Sequence, residues 1–442
     1  MTRGLMKTAS GIAIAAAAGL FATSAMAADL GVGGNCCADL EERVAELEAT
    51  TARKGNRKVS LTVYGMVTKA IVWHDDDWGY RPDELSFRDY GPHMSRFGFR
   101  GEAAVRPDLT AGYVLEFGLA NEDNGVHSGD DPIQIRHSYV YLDHASLGRI
   151  SLGQQSTATD GAWQVSLANT LVLPGEMNEG GSMLSVPFRK TFASDFDGHR
   201  YQGIFYRSPT VAGFMLTAGY FTNTYQEADN PPSSKWFYNP DDANDAWDIA
   251  LRYAGEFNGV RVAAAVGYRK EFDNGATSTA FGERDIWMAS GSVMHTPTGL
   301  FVSGGYADRD SDLATERKDA FWIQAGIEKN WTGIGNTTIF GEYAEFNVSS
   351  AANADVGRWD DREGKPGPLG VSDGNYWGIG IVQTIDAAAT DLFLNLRKYE
   401  LDGATCAKGP GTVDRPVTCN PKLDKFFNTE ATIVQGGMKI QF

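Results

Sequence analysis

The chain has 442 residues, with 56 Asp and Glu against 39 Lys and Arg, and a formal net charge of −17. That acidity excludes nucleic acid as a partner, and no stretch after residue 27 supplies the roughly 20 consecutive apolar residues of a membrane helix. A mean hydropathy of −0.29 resembles that of a soluble protein, but a transmembrane barrel hides its apolar residues in alternate positions and reaches the same bulk value.

Residues 1–27 read as a cleavable secretory signal peptide. Arg3 and Lys7 give a basic start, Ile12–Phe21 is apolar, and Ala25-Met26-Ala27 is a small-residue cleavage site. These residues carry two basic groups and no acidic one, so their removal makes the net charge −19. Residues 28–58 form a periplasmic N-terminal segment. In it Leu40, Val44 and Leu47 recur at spacings of four and three among Glu and Arg, which predicts a heptad-like helix over Ala38–Thr51. Helices under roughly 12–15 residues are marginal alone, so this one is expected to associate with copies of itself or with a partner such as the cell wall. A linker helix is the alternative.

From residue 59 to 442 only strands and loops are predicted. The strands are 59–73, 93–106, 109–121, 133–144, 148–155, 199–207, 213–223, 246–256, 260–272, 284–296, 300–308, 319–331, 336–348, 374–385, 391–401 and 430–442. Connections alternate between short and long, the long ones being 74–92, 122–132, 156–198, 224–245, 273–283, 309–318, 349–373 and 402–429. An all-β transmembrane barrel of about 16 antiparallel strands has this pattern, with short periplasmic turns and long outer loops. An even strand number puts both barrel ends on the periplasmic side.

Side-chain alternation agrees. Leu392, Leu394 and Leu396 alternate with Asp391, Asn395 and Arg397, and Trp247, Ile249 and Leu251 with Asp248 and Arg252. A lipid-facing Arg near the midplane costs roughly 2–4 kcal/mol, so these charges belong in the lumen. In the last strand Val434, Gly436, Met438, Ile440 and Phe442 share one face, and Gln435, Gly437, Lys439 and Gln441 the other. The faces of 199–207 and 336–348 do not follow from the pattern.

Several motifs resemble those of the alphaproteobacterial general porin family. Val59-Ser60-Leu61-Thr62-Val63-Tyr64-Gly65 resembles its first strand. Ser95-Arg96-Phe97-Gly98-Phe99-Arg100-Gly101-Glu102, Leu147-Gly148-Arg149-Ile150-Ser151-Leu152-Gly153-Gln154 and Tyr206-Arg207-Ser208-Pro209 resemble the strands that follow, and terminal Phe442 resembles the assembly signal. The resemblance implies a homotrimer in the bacterial outer membrane, in contact with lipid and lipopolysaccharide. It also implies passive diffusion of small hydrophilic solutes and ions. One departure is Glu179-Gly180-Gly181, which lacks the aromatic residue of the family's third-loop element.

Loop 156–198 is too long for a simple connection, and a barrel this wide leaves an aqueous lumen that a loop can narrow. With the resemblance, this predicts an inward loop offering Asp160, Glu176, Glu179, Asp195 and Asp197 opposite a basic wall of Arg96, Arg100, Arg136 and Arg200. An exterior loop with solvated acids is the alternative. Net charge points to cation preference through the mouth potential, while the lumen arginines push the other way locally. Cys406 and Cys419 flank a Gly/Pro/Lys-rich loop where a disulfide fits an exported protein, two free thiols being the alternative.

Neither the adjacent Cys36 and Cys37 nor Cys406 and Cys419 have zinc-site spacing. The histidines show no paired ligand spacing, and His74-Asp75-Asp76-Asp77 reads as a solvated outer loop, so no metal or cofactor is expected. No nucleophile–base signature is present, which argues against an outer-membrane hydrolase. A substrate-specific channel is the rival within transport. A structural tether through the Leu40–Thr51 helix is the rival from another class.

Overall fold

The structure, a computed structural model, describes residues 58–76, 84–119, 133–176, 188, 191–192, 196–223, 244–272, 283–311, 317–349, 369–405 and 425–442. Its strands are β1 (Thr62–Asp76), β2 (Glu84–Asp89), β3 (Arg96–Arg106), β4 (Leu109–Leu119), β5 (Ile133–His144), β6 (Gly148–Ser156), β7 (Arg200–Arg207), β8 (Phe214–Asn223) and β9 (Asn244–Phe257), then β10 (Val260–Glu271), β11 (Arg284–His295), β12 (Leu300–Ser311), β13 (Arg317–Lys329), β14 (Thr337–Ser349), β15 (Leu369–Ile385), β16 (Thr390–Thr405) and β17 (Lys425–Gln441).

Consecutive strands pair antiparallel except β2 with β3, and β1 pairs with β17 over Met66–Asp76 and Gln441–Ala431. The other edge of β1 pairs with β3 over Thr62–Met66 and with β2 over Lys69–His74. β2 and β3 are therefore two halves of one barrel position, and the barrel closes with sixteen. Closure leaves no edge strand.

The break between the halves follows from Tyr90-Gly91-Pro92-His93. A proline has no N–H for the ladder, and the chain makes one 3-10 turn at Gly91–His93. Tyr90 turns inward, its ring centroid 4.3 Å from that of Phe393. Side chains replace the missing rungs: Ser95 N donates to Asp89 Oδ2 (3.2 Å), and Thr68 N donates to Ser95 Oγ (3.0 Å).

The structure extends several strands beyond the sequence expectation. Strand β2 lies inside the expected long loop 74–92, and the expected loop 309–318 shrinks to the five residues between Ser311 and Arg317. The strands overrun the apolar band at the long-loop end, where Asp308 and Asp310 point outward beside inward Arg309. With polar residues on both faces, alternation no longer signals a strand. At the short-turn end, Asn258 and Gly259 both have positive φ (51° and 78°), the geometry of a two-residue hairpin turn.

The inner and outer faces of β17 and β16 follow the alternation: Leu394, Met438 and Ile440 are exposed outward, while Asp391, Asn395, Arg397, Gln435 and Lys439 are buried inward. β14, whose facing the pattern left open, turns Phe340, Glu342, Ala344 and Phe346 inward and Ile339 outward.

Phe442 completes the seam. Gly65 N donates to Phe442 O (2.9 Å) and Phe442 N donates to Gly65 O (3.0 Å). Deleting Phe442 removes both bonds at the closing joint, a loss of about 1–3 kcal/mol. The expected outcome is a lower yield of heat-modifiable folded protein on refolding into detergent or lipid, read by gel mobility.

An inward loop and a basic wall

The connection from β6 to β7 runs along the inner wall instead of leaving the barrel. Its ends meet where Thr157 N donates to His199 O (3.0 Å). From there the loop crosses strand after strand. Asp248 Oδ2 on β9 accepts from Thr159 N and Oγ1 (2.7 and 2.9 Å). Arg252 on the same strand donates to the carbonyls of Ala158 and Asp160 (2.9 and 2.6 Å). Ser290 and Ser292 on β11 accept from Val165 N and Leu167 N, both at 3.0 Å. Asn169 N donates to Glu328 Oε2 on β13 (2.7 Å), and Asn169 Nδ2 reaches Asp391 Oδ1 on β16 (3.0 Å). Gly175 N then donates to the Tyr376 hydroxyl on β15 (2.8 Å). The loop is thus seated on the inward faces of one half of the barrel.

Aromatic packing fills the space under it. Trp163, Phe188, Phe192 and Phe196 are fully buried. The Trp163 carbonyl accepts from Trp322 Nε1 (2.9 Å), and the Phe192 ring lies 5.0 and 5.3 Å from Tyr399 and Phe346. Gly175 is required here: its φ is +68°, and a Cβ would sit 2.5 Å from both the Trp163 and Trp322 rings.

A buried ion pair anchors the far end. Arg397 Nε lies 2.6 Å from Glu342 Oε1, with side chains 0% and 2% exposed, and Arg397 Nη2 donates to Leu173 O (3.1 Å). Breaking one partner of such a pair leaves an unpaired buried charge and costs about 3–5 kcal/mol. Arg397, Asp248 and Arg252 were legible from alternation as lumen residues, but nothing in the pattern marks them as the loop's anchors.

The opposite half of the lumen, β3 to β7, carries the predicted basic residues. Arg136 Nε donates to Glu116 Oε1 (2.8 Å), and Arg100 lies over the Tyr64 ring (5.4 Å). Arg96 and Arg200 share the field of Arg136 and Glu116. Arg96, Arg100 and Arg200 have no salt-bridge partner among the described residues. Strict alternation would turn Arg136 outward with Val140 and Leu142. A β-bulge between β4 and β5 prevents this: Glu116 pairs with His137 and Phe117 with Ile135, so Arg136 is the extra residue. Arg136 and His137 both face inward, while Ile135 and Val140 are exposed outward.

Of the predicted acids, Asp160 lies on the loop and shares the field of Arg200. Glu176 accepts from Gln164 Nε2 (2.8 Å). Glu179 and Asp195 lie outside the described residues, as do Cys406, Cys419, Leu40, Val44 and Leu47. Asp197 is half-buried, and its carboxyl is held well above the usual range by desolvation and then by the charges of Asp160 and Glu176. Backbone N–H groups of Gly161 and Gly198 oppose that rise.

A sixteen-position transmembrane barrel with a long loop seated in its lumen defines an outer-membrane channel of the porin class. A family model described as Gram-negative porin matches residues 13–412, and the chain belongs to that family. An outer membrane porin protein of Bordetella pertussis is 27% identical over 199 residues, covering 42% of this chain and 49% of that protein. The match thus spans about half the length of this curated relative. Among solved structures, the anion-selective porin from Comamonas acidovorans shares the fold (TM-score 0.52, 16% identity, 87% of this chain and 100% of that one). So does Pseudomonas putida OprB (TM-score 0.52, 10% identity, 91% and 97%).

The raised Asp197 carboxyl gives the loop seat a pH dependence. A raised acid stabilises the folded arrangement while protonated, and that contribution is lost as pH rises through the raised value. Open-channel current noise of the reconstituted protein should therefore grow on the alkaline side, and Asp197→Asn should flatten the profile.

Proposed function

We propose that the chain forms a water-filled pore for passive diffusion of small hydrophilic solutes and ions, narrowed by loop 157–199. The observation that carries this is the loop's chain of hydrogen bonds to inward residues of β9, β11, β13, β15 and β16. A loop held on one side leaves the open lumen between its acids and the arginines of β3–β7. Opposed rows of fixed charge set up a transverse field that favours hydrated polar solutes over apolar ones.

The protein acts as a homotrimer in this reading. Lys69 lies four residues from outward Trp73 and four from Gly65, which pairs with Phe442, so it sits at mid-wall. It faces outward with Val67 and Ile71, its side chain 52% exposed, and pairs with Asp89. A cation facing lipid at that depth costs roughly 2–4 kcal/mol, and a neighbouring subunit against β1 and β2 removes the cost. The signal peptide 1–27 exports the chain, and the acidic segment before the barrel supports placement in the alphaproteobacterial branch.

Single-channel recording of the mature protein in a planar bilayer tests the pore. Ohmic, unsaturated conductance is expected, and deleting residues 163–175 should raise it by about twofold, because conductance follows open cross-section. Unchanged conductance in the deletion overturns the narrowing role. Lys69→Glu places two carboxylates at the proposed contact and should lower the temperature at which trimers dissociate on native gels. A monomeric wild type overturns the trimer.

A further inference from the structure

The strand broken at Tyr90 carries more chain than the wall can use. Asp89 pairs with Lys69, and Arg96 with Met66. Six residues lie between Asp89 and Arg96 but only two between their partners, so four are surplus to the ladder. Strand faces alternate with a period of two, so an even surplus keeps both halves in phase. Leu85 and Phe87 are exposed outward on β2, and Phe99 on β3 lies opposite outward Leu115. A surplus turned outward would present unpaired backbone groups to lipid, so it has to turn inward.

The contacts of the turn trace its course. Tyr90 is fully buried, its ring against Phe393 of β16 and its hydroxyl accepting from Asn395 Nδ2 (3.3 Å). His93 N donates to Tyr90 O (3.0 Å) and closes the turn. The His93 ring lies 6.3 Å from the Tyr90 ring, within the field of Lys439, Arg96 and Asp391. Met94 Sδ lies 3.8 Å from where a Cβ would stand on Gly118 of β4, beside Arg136. The turn thus runs across the inner face from β16 to β4. Gly91 is exposed, and Pro92, His93 and Met94 are partly exposed.

The turn and the long loop meet on β16. Asn169 reaches Asp391, and Leu173 O accepts from Arg397. Phe393 and Asn395, which hold Tyr90, lie between those two anchors. Leu171 and Val172 belong to the same buried apolar cluster as Tyr90 and Phe393. Leu171 holds a φ of 57°, a conformation that a leucine keeps only where its surroundings fix it.

We infer that Gly91–Met94 forms a second inward element, a sill that meets loop 157–199 at β16, and that His93 and Met94 on this sill help to set the size of solute the pore admits. The inference rests on the reading of the chain as an open pore. The loop narrows the lumen from β9–β16, and the sill narrows it from the wall between β16 and β4.

The test uses the mature full chain in planar bilayers and in liposomes, with arabinose and raffinose as small and large uncharged probes. Deleting residues 91–94 splices Tyr90 to Ser95, which restores a continuous strand with both faces in phase. Conductance should rise by about 1.5-fold, because it follows open cross-section, and raffinose should gain on arabinose in liposome swelling. His93→Ala should move both readings the same way by less, and His93→Trp should move both the opposite way. These two variants leave the ladder intact and carry the measurement if gel mobility shows that the deletion does not assemble. A turn that only packs Tyr90 would alter thermal stability alone. Wild-type conductance and wild-type sugar discrimination in the assembled variants therefore overturn the sill and leave the pore. A wild type without conductance overturns the pore and the sill with it.

Discussion

The bilayer offers the backbone no water, so every N–H and C=O that crosses it must find a partner within the protein. A ring of strands meets that demand only if it closes. Here closure rests on the Met66–Asp76 ladder with β17 and on the paired Gly65 and Phe442 at its end. The same demand shapes the one place where a strand is broken. Between β2 and β3 the ladder loses rungs at a proline, and the side chains of Asp89 and Ser95 supply replacements, Ser95 Oγ bonding both backbone groups of Thr68. The break lets Tyr90 enter the interior without opening the wall.

A closed wall also fixes what the interior can be. Sixteen positions enclose more space than side chains alone fill, and the β6–β7 loop is packed against one half of the inner wall. Trp163, Phe188, Phe192 and Phe196 are fully buried there. The interior therefore has two sides: an aromatic, hydrogen-bonded half that holds the loop, and a charged half on β3–β7. The buried Arg397–Glu342 pair lies in the first and serves position. Of the arginines of the second, Arg96, Arg100 and Arg200 have no carboxylate partner among the described residues, whereas Arg106, Arg136, Arg149 and Arg207 each have one.

Much of this was legible in the chain. A period of two with charge on one face gave the strand count and the inward set on β16 and β17. Strand ends were not legible at the long-loop end, because beyond the apolar band both faces are polar, as at Asp308, Arg309 and Asp310. The break at Tyr90–Met94 was hidden for the opposite reason: Pro92 ended the pattern, so β2 read as loop. The reading of Arg96, Arg100, Arg136 and Arg200 as a basic wall came from alternation and resemblance, and Arg136 faces inward only because of a bulge that strict alternation does not contain. The loop's anchors stayed invisible, since Asp248, Arg252 and Arg397 are ordinary lumen residues until the loop is laid across them.

The bulge at Arg136 has an evolutionary consequence. It inserts a single residue whose side chain enters the lumen, while Ile135 before it keeps its outward place and His137 after it keeps its inward one. Gaining or losing one codon there changes the lumen lining by one side chain and leaves the hydrophobic exterior as it was. Substitution elsewhere must exchange one lumen residue for another, but this site can add one. A lineage of such barrels can retune which solutes it admits through single-codon length changes, at a position where the membrane exerts no selection.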